Sequence, residues 1–214
     1  MVVGYRPYLE LIEDLTAGKE LLASGMRKET ERCREALKRA AAGATVALVS
    51  SGDPGVYGMA GLAMELADAE GFGVDIEIVP GISAAGAAAA RLGAPLMLDY
   101  ACISLSDLLV PWAGICRRLE AVAAADLAVA LYNPKSTKRV EQIRQAAAIL
   151  RKHRAGTTPV GICTAIGTEE ERVEIADLES FLDREITMRS IVIVGNSTTR
   201  VIRGRMVTPR GYRV

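Results

Sequence analysis

Two turns rich in glycine and proline are the first features of this sequence whose residue types suggest chemistry. Ser51-Gly52-Asp53-Pro54-Gly55 directly follows the apolar stretch Val46–Ser50, and Val79-Pro80-Gly81 ends a second apolar stretch. Glycine lets a backbone approach a ligand closely, and the N–H groups at the start of a helix are free hydrogen-bond donors. A tight connection capped by Asp53 explains either turn alone equally well. Two such turns at adjacent strand ends favour a ligand site.

The spacing of the chemically active residue types excludes several familiar sites. Gly52, Gly55, Gly58 and Gly61 recur at every third position, and they match neither a P-loop nor the Gly-x-Gly-x-x-Gly dinucleotide fingerprint. His153 is the only histidine, and the four cysteines form no Cys-x-x-Cys pair. Histidine triads, zinc proteases and structural zinc sites therefore lack their residues, and no metal site is expected.

Composition indicates a globular protein without a strong overall charge. Half of the 214 residues are apolar, and 26 basic residues balance 26 acidic ones. No global field favours a nucleic acid or an anionic membrane. The sequence has no apolar run of about eighteen residues and no signal-peptide pattern, and its scattered cysteines suit a reducing compartment. We therefore expect a soluble cytoplasmic protein with neither a nucleic-acid partner nor a membrane span.

Alternating strands and helices are predicted to position the two turns. In the first half we expect helices at Met26–Ala42, Val56–Ala69 and Ile82–Leu92, and strands at Ala44–Ser50 and Val74–Val79. In the second half we expect strands at Ala101–Ser104, Leu127–Tyr132, Pro159–Thr164, Arg172–Ala176 and Ser190–Val194, and helices at Trp112–Ala125 and Thr137–His153. A break at Pro95–Tyr100 separates the two halves. The pattern predicts an α/β fold of two domains, with a parallel sheet in residues 1–97 and a mixed sheet in residues 98–214.

Five segments of the sequence, taken in order, resemble the tetrapyrrole (corrin/porphyrin) methylase superfamily. They are SSGDPGVYGMAG, VPGISAAGAAAARLGAPLMLDYACISLSDLLVPW, ALYNPKSTKR, AIGTEEERVEI and SIVIVGNSTTR. The Gly-Asp-Pro loop is shared by the whole superfamily. Ile103–Leu109 and Tyr132–Ser136 are more specific and resemble the branch of precorrin-3B C(17)-methyltransferases, known in cobalt form as cobalt-factor III methyltransferases. The similarity covers nearly the whole chain.

The resemblance implies a two-domain enzyme of cobalamin biosynthesis that binds S-adenosylmethionine in a cleft between the domains. Such an enzyme is usually a homodimer, methylates carbon 17 of a tetrapyrrole and takes part in contraction of the macrocycle. Carried over residue by residue, the cofactor contacts would be Ser51, Gly52, Asp53, Val56, Ser83, Ala84, Asn133 and Ala165. Asp53 would either hold its loop or address polar groups of the cofactor.

The acceptor of this reaction carries carboxylates, which lysine and arginine bind well. We expect Arg27, Lys28 and Lys135 to bind them, whereas a solvated helix face explains Lys138 and Arg139 equally well. The catalytic candidates for ring contraction are Tyr57, Ser104, Ser106 and Asp107. A helix-capping role explains Ser106 and Asp107 equally well. Because alignment of the reactants in a dry cleft supplies much of the acceleration, no single general base is assigned.

The sequence departs from the family pattern at its start. Members normally open with a strand and a Gly-x-Gly-Pro-Gly turn before the segment that here reads MVVGYRPYLELI. Two explanations stay open: the start of the chain is assigned too late, or the first domain lacks that strand and turn and is covered in another way, for example by a subunit partner. In either case we expect the 214-residue chain to bind the cofactor weakly and to self-associate. Two alternative functions stay open at this point: a catalytically impaired tetrapyrrole- or nucleotide-binding relative, and a nucleotide-dependent oxidoreductase.

Overall fold

The computed structural model describes residues 1–213, which divide into two compact units. The first unit is Met1–Ser83 and the second begins at Ala84. This division lies earlier in the chain than the predicted domain boundary, because the helix that starts at Ala84 packs on the sheet of the second unit. The functional domains 1–97 and 98–214 remain a prediction.

The first unit is built on a three-stranded parallel sheet in the order β2-β1-β3. Its elements in chain order are β1 (Val2–Tyr5), α1 (Arg6–Glu10), α2 (Glu13–Thr16), β2 (Leu21–Ser24), α3 (Glu29–Ala41), β3 (Ala47–Val49) and α4 (Ala60–Ala69). The central strand β1 buries Val2 and Val3, and α3 packs on α4 through Cys33, Met59 and Ala63. Because the strands are parallel, their carboxyl ends share one edge, where ligands bind in such sheets.

Two helices of the first unit begin later than the sequence predicts. The helix expected from Met26 begins at Glu29, and the helix expected from Val56 begins at Ala60. Arg27 and Tyr57 have φ angles of 62° and 55°. A right-handed helix cannot continue through a residue in this left-handed conformation.

The strand predicted at Val74–Val79 is wrong. Within the described residues this segment has no regular secondary structure and joins none of the three sheets. Its alternating apolar and acidic side chains have the pattern of a half-buried strand. The prediction failed because a strand also needs a neighbouring backbone with which to form hydrogen bonds, and the alternating pattern does not show whether one is present.

The second unit contains a five-stranded mixed sheet in the order β5-β6-β9-β7-β8. Its elements in chain order are α5 (Ala84–Leu92), β4 (Gly93–Ala94), β5 (Tyr100–Ser104), α6 (Trp112–Ala124), β6 (Ala128–Tyr132), α7 (Glu141–Arg151), β7 (Pro159–Thr164), β8 (Arg172–Asp177), a 3-10 turn (Phe181–Asp183), β9 (Ser190–Val194), β10 (Arg200–Ile202) and β11 (Arg205–Val207). β5 is parallel to β6, and β9 is antiparallel to both β6 and β7. The carboxyl ends of β5, β6 and β7 therefore lie at one edge. The predicted mixed sheet is confirmed.

Helices cover both faces of this sheet. α6 and α7 bury Leu119 and Leu150 with Leu131 on one face, and α5 lies on the other with Leu92. A Cβ on Gly161 of β7 would lie 2.3 Å from Leu92 Cδ1, so glycine lets the helix approach the strand. The small sheet β10-β11-β4 adds Met206 to the core beneath α5.

Within residues 1–213, no helix has the length and apolar character needed to cross a membrane. Over the same residues, no three histidine, cysteine or acidic side chains group as potential metal ligands.

Candidate functional site

Left-handed backbone conformations concentrate at the predicted site residues. In the described chain, six residues other than glycine have positive φ angles: Arg27, Tyr57, Asp126, Asn133, Ala165 and Arg203. Four of the six are predicted site residues, namely Arg27, Tyr57, Asn133 and Ala165. Such a conformation costs a side-chain-bearing residue about 1 kcal/mol and persists only where its surroundings hold it. Strain of this kind clusters at functional sites, which supports these four positions.

Asp53 joins the two glycine turns of the first unit. Its Oδ2 accepts a hydrogen bond from the Gly81 N–H at 3.0 Å, and its Oδ1 accepts one from the Gly55 N–H at 2.8 Å. These donors, Gly81 first and then Gly55, hold the pKa of the Asp53 carboxyl below its ordinary value. Of the two roles left open for Asp53, the structure shows the one that holds the loop.

Glycines in these turns serve two different purposes. A Cβ on Gly81 would lie 2.1 Å from the carbonyl oxygen of Gly52, and a Cβ on Gly58 would lie 2.5 Å from that of Pro54. Close backbone approach therefore requires glycine at both positions. Gly52 differs, because it has a φ of 72° and a Cβ there would meet only the Ile82 carbonyl oxygen, at 3.8 Å.

The outer side of the Gly52 loop is open. Ser51, Gly52 and Val56 are all exposed, and Gly52 contributes bare backbone at the carboxyl edge of a parallel sheet. An exposed backbone flanked by one small hydroxyl and one apolar side chain fits a small organic ligand. The loop is therefore compatible with the predicted cofactor, which is a small organic molecule.

Three predicted residues of the second unit meet at the carboxyl ends of β5 and β6. Asn133, directly after β6, donates from Nδ2 to Ser104 Oγ at the end of β5, over 3.0 Å. The Ser106 N–H donates to the same hydroxyl over 3.2 Å. The structure thus connects one predicted cofactor residue to two predicted catalytic residues.

Ala165 occupies the corresponding place after β7. It is 8% exposed, and its φ is 52°. Its N–H donates to the Arg189 carbonyl, and its own carbonyl accepts a hydrogen bond from Thr168 Oγ1. Like Asn133, it leaves a strand in a left-handed conformation at the edge where β6 and β7 both end.

Arg139 connects the loops that follow β5 and β6. Its Nη2 donates to the Asn133 carbonyl oxygen at 2.9 Å, and its Nη1 donates to Ser106 Oγ at 3.3 Å. Its Nε is buried without a hydrogen-bond partner in the described residues. The interpretation of Arg139 as part of a solvated helix face is therefore wrong, since α7 begins only at Glu141. The guanidinium is engaged inside the site.

The helix-capping alternative for Ser106 and Asp107 is not realised. α6 begins only at Trp112, with Pro111 at its N-cap, so both residues lie too far upstream. Asp107 is exposed and its Oδ2 accepts a hydrogen bond from Gln142 Nε2 of α7 at 2.9 Å. Both residues stay candidates for the chemistry.

The basic candidates differ in how far their charges are already compensated. Lys28 Nζ lies 2.7 Å from Glu31 Oε1, an ion pair on the exposed surface of the first unit. Within residues 1–213, Arg27 and Lys135 form no ion pair. Arg27 is exposed on the turn after β2, whereas Lys135 is half-buried. Arg27 is therefore the strongest of the three candidates for binding an anionic ligand.

Tyr132 holds two candidate site segments together, a role that sequence reasoning missed. Its hydroxyl accepts a hydrogen bond from the Ala85 N–H at 3.0 Å, at the start of α5. This contact fixes the beginning of the helix that carries Ala84 against the strand end that carries Asn133. The sequence shows only a tyrosine directly before Asn133-Pro134. Its partner Ala85 lies far away along the chain, so the sequence does not indicate this contact.

The predicted cofactor residues are distributed over both units. Ser51, Gly52, Asp53, Val56 and Ser83 belong to the first unit, with the catalytic candidate Tyr57, which is 54% exposed. Ala84, Asn133 and Ala165 belong to the second unit. Each unit by itself places its share at or beside the carboxyl edge of its sheet.

Comparison with known proteins identifies the family. The model of the tetrapyrrole (corrin/porphyrin) methylases matches residues 1–182, and the chain belongs to this family. It is 48% identical to a cobalt-factor III methyltransferase of Priestia megaterium, over all of this chain and 40% of the relative. It is 44% identical to a probable cobalt-factor III C(17)-methyltransferase of Salmonella typhimurium, over 99% of this chain and 88% of the relative.

A solved structure agrees with this assignment. The crystal structure of the methyltransferase CobJ superposes with a TM-score of 0.90 at 38% identity, over 97% of this chain and 87% of that chain. The tetrapyrrole methylase fold predicted from the sequence is therefore confirmed. The chain spans well under half of the Priestia megaterium relative but most of the Salmonella typhimurium one.

Proposed function

We propose that this protein uses S-adenosylmethionine to methylate carbon 17 of a tetrapyrrole, with contraction of the macrocycle, in cobalamin biosynthesis. The observation that carries the proposal is the open Gly52 loop, held by Asp53 against the second turn, in a chain of the tetrapyrrole methylase family. Two relatives above 40% identity are named as cobalt-factor III methyltransferases. Cobalt-factor III is accordingly our first choice of acceptor, ahead of metal-free precorrin-3B.

The residues present fit the cofactor. S-adenosylmethionine supplies an electrophilic methyl group when it is bound. In the first unit the exposed Ser51, Gly52 and Val56 are its proposed contacts, while Asp53 keeps their loop in place. Ser83, Ala84, Asn133 and Ala165 complete the proposed set of cofactor contacts.

The chain itself contributes orientation and charge to the reaction. Arg27, Lys28 and Lys135 are proposed to bind acceptor carboxylates, which orients the macrocycle so that carbon 17 can react. Exclusion of water from the aligned reactants strengthens these contacts. Tyr57, Ser104, Ser106 and Asp107 are the proposed groups for the proton movements of ring contraction. We also propose that the protein acts in the cytoplasm as a homodimer.

The proposal is tested by incubating the purified protein with S-adenosylmethionine and either cobalt-factor III or precorrin-3B. We expect a product that is one methyl group heavier, formed faster from cobalt-factor III, with the spectrum of a contracted ring. Tight binding of both ligands without a heavier product would instead support the alternative of a catalytically impaired relative. Binding of NAD in place of S-adenosylmethionine would support an oxidoreductase.

A further inference from the structure

Arg32 is a buried guanidinium for which the described chain offers no carboxylate partner. The residue lies on α3 and is 3% exposed. Its Nε donates to Ser24 Oγ at 2.6 Å, and its Nη2 donates to the Gly25 carbonyl oxygen at 2.9 Å. Its Nη1 lies 3.2 Å from Met59 Sδ, and its Cζ lies 5.8 Å from the centre of the Tyr5 ring.

These partners come from all three connections at the carboxyl edge of the first sheet. Tyr5 is the last residue of β1, and Ser24 is the last residue of β2. Met59 is the last residue of the Gly52 loop, which follows β3. One side chain of α3 therefore contacts every segment that leaves this edge.

Stability alone does not explain an arginine at this position. Burial of a charge disfavours folding unless ion pairs and hydrogen bonds compensate, and Arg32 has only neutral acceptors, a sulfur and a ring face. A methionine would fill much of the same space without desolvating a charge. The neighbouring Arg34 and Arg39 of α3, in contrast, lie on the surface and pair with glutamates.

The segment that depends most on these hydrogen bonds is the Ser24–Lys28 turn, which we call the substrate turn. Arg27 in this turn has the left-handed conformation, with a φ of 62°. Arg32 holds the first two residues of the turn, Ser24 through its side-chain hydroxyl and Gly25 through its backbone carbonyl. The planar guanidinium can hold both at once, whereas a lysine ammonium lacks this fork.

We propose that Arg32 is a positioning residue that holds the substrate turn so that Arg27 faces the acidic substituents of the tetrapyrrole. The inference rests on the proposed function, since it assigns Arg27 to acceptor carboxylates. Arg32 itself touches no substrate, because it is buried beneath the turn. Arg32 instead fixes the backbone conformation of the turn that carries Arg27.

The experiment compares Arg32→Met and Arg32→Lys with the control Arg39→Met, which removes a surface arginine from the same helix. KM for cobalt-factor III, Kd for S-adenosylmethionine and the melting temperature are measured for each. We expect both Arg32 variants to raise KM about tenfold and to change Kd by less than about twofold. Arg32→Met should melt no lower than the wild type, and Arg39→Met should keep the wild-type KM.

Combination with Arg27→Ala separates positioning from other roles. If Arg32 acts through Arg27, the KM effects of Arg32→Met and Arg27→Ala are not additive. Full additivity, or a wild-type KM in Arg32→Met, would overturn the inference. A wild-type KM in Arg32→Lys would show that charge alone matters and would overturn it as well.

Hydrogen exchange gives a readout that does not depend on turnover. Arg32→Met should speed amide exchange across residues 24–28 and leave the amides of β1 protected. If the wild type shows no turnover with either tetrapyrrole, the proposed function fails, and this exchange result alone then decides whether Arg32 holds the turn. If Arg32→Met does not fold, Ser24→Ala removes one acceptor and should raise KM by a smaller factor, and an unchanged KM would contradict the inference.

Discussion

At the scale of single residues, the site separates groups that build the loops from groups that are open to a ligand. Asp53 and Gly81 belong to the first kind, because the carboxylate and the glycine N–H are used to join two turns. Gly52 belongs to the second kind, because its outer side is open and bare. The sequence singled out Asp53 but could not show which of its two roles applies, since its partner Gly81 is distant in the chain.

Replacement of Gly81 by alanine should weaken cofactor binding. The new Cβ would lie 2.1 Å from the Gly52 carbonyl oxygen, so the Gly52 loop must shift. We expect the Kd for S-adenosylmethionine to rise at least about tenfold, which corresponds to about 1.4 kcal/mol. Isothermal titration measures this change.

Gly61→Ala is the matched control for this substitution. Gly61 lies in α4, and no atom outside its own helix approaches its Cβ position within 4 Å. The substitution should stabilise the helix by about 0.5–1 kcal/mol and leave the Kd unchanged. A wild-type Kd in Gly81→Ala would show that the contact between the two turns does not shape the site.

The Asp53 carboxylate should make cofactor binding sensitive to acid. Its pKa is lowered by N–H donors in the folded loop, so ionisation contributes stability that is present at neutral pH and is lost as the pH falls through that lowered pKa. Affinity for S-adenosylmethionine should therefore fall below about pH 4. Asp53→Asn should bind more weakly at pH 7 and show a flatter profile. Parallel profiles for the two proteins, with folding monitored by circular dichroism, would contradict this assignment.

At the scale of elements, two buried strands were predicted more accurately than most helix starts, whereas β1, β2, β4, β10 and β11 were not predicted. Pro159–Thr164 and Ser190–Val194 were predicted to the residue, because buried strands read as continuous apolar runs. Helix starts after Arg27, Tyr57 and Asn133 came later than expected. Their positions depend on left-handed residues and on long-range hydrogen bonds, which leave no periodic signal in the sequence.

Arg139 should contribute to both stability and cofactor affinity through the two loops it connects. Arg139→Ala removes its bonds to Asn133 and Ser106, so we expect a loss of about 1–2 kcal/mol in the free energy of unfolding and a Kd raised several-fold. Arg144→Ala is the control, because that side chain is 70% exposed with a weak 3.8 Å ion pair. It should change stability by less than about 0.5 kcal/mol. Urea unfolding measures the stability of both variants, and titration with S-adenosylmethionine measures their Kd. Equal changes in stability and Kd for Arg139→Ala and Arg144→Ala would contradict the connecting role of Arg139.

At the scale of the whole molecule, the sequence predicted the two kinds of sheet but not every member of them. The parallel sheet and the mixed sheet were both expected and both form. The segment Val74–Val79 was expected to be a strand and is not one. Strand pairing depends on which segments lie side by side in the fold, and the local sequence does not show this. Arg32 was missed for the same reason, since its three loops become neighbours only in the fold.

Exposed apolar side chains give a physical reason to expect self-association. Leu11, Leu15 and Leu109 are 65%, 68% and 96% exposed. A large apolar patch on a protein surface is often covered by a partner, and each of these side chains could contribute to such a patch. Sedimentation equilibrium should give a mass near twice the 22.8 kDa of one chain at micromolar concentration. A single-chain mass across that range would refute the proposed homodimer.

The central claim, that the bare Gly52 loop binds the methyl donor, is tested most directly by titrating S-adenosylmethionine into wild type, Gly52→Val and Gly18→Val. Gly18 has the same φ of 72° and open space around it, so valine there introduces the same backbone strain away from the loop. We predict that both variants lose similar stability, about 1–2 kcal/mol, and that only Gly52→Val raises the Kd by tenfold or more. An unchanged Kd in Gly52→Val, or an equal rise in both variants, would contradict the account.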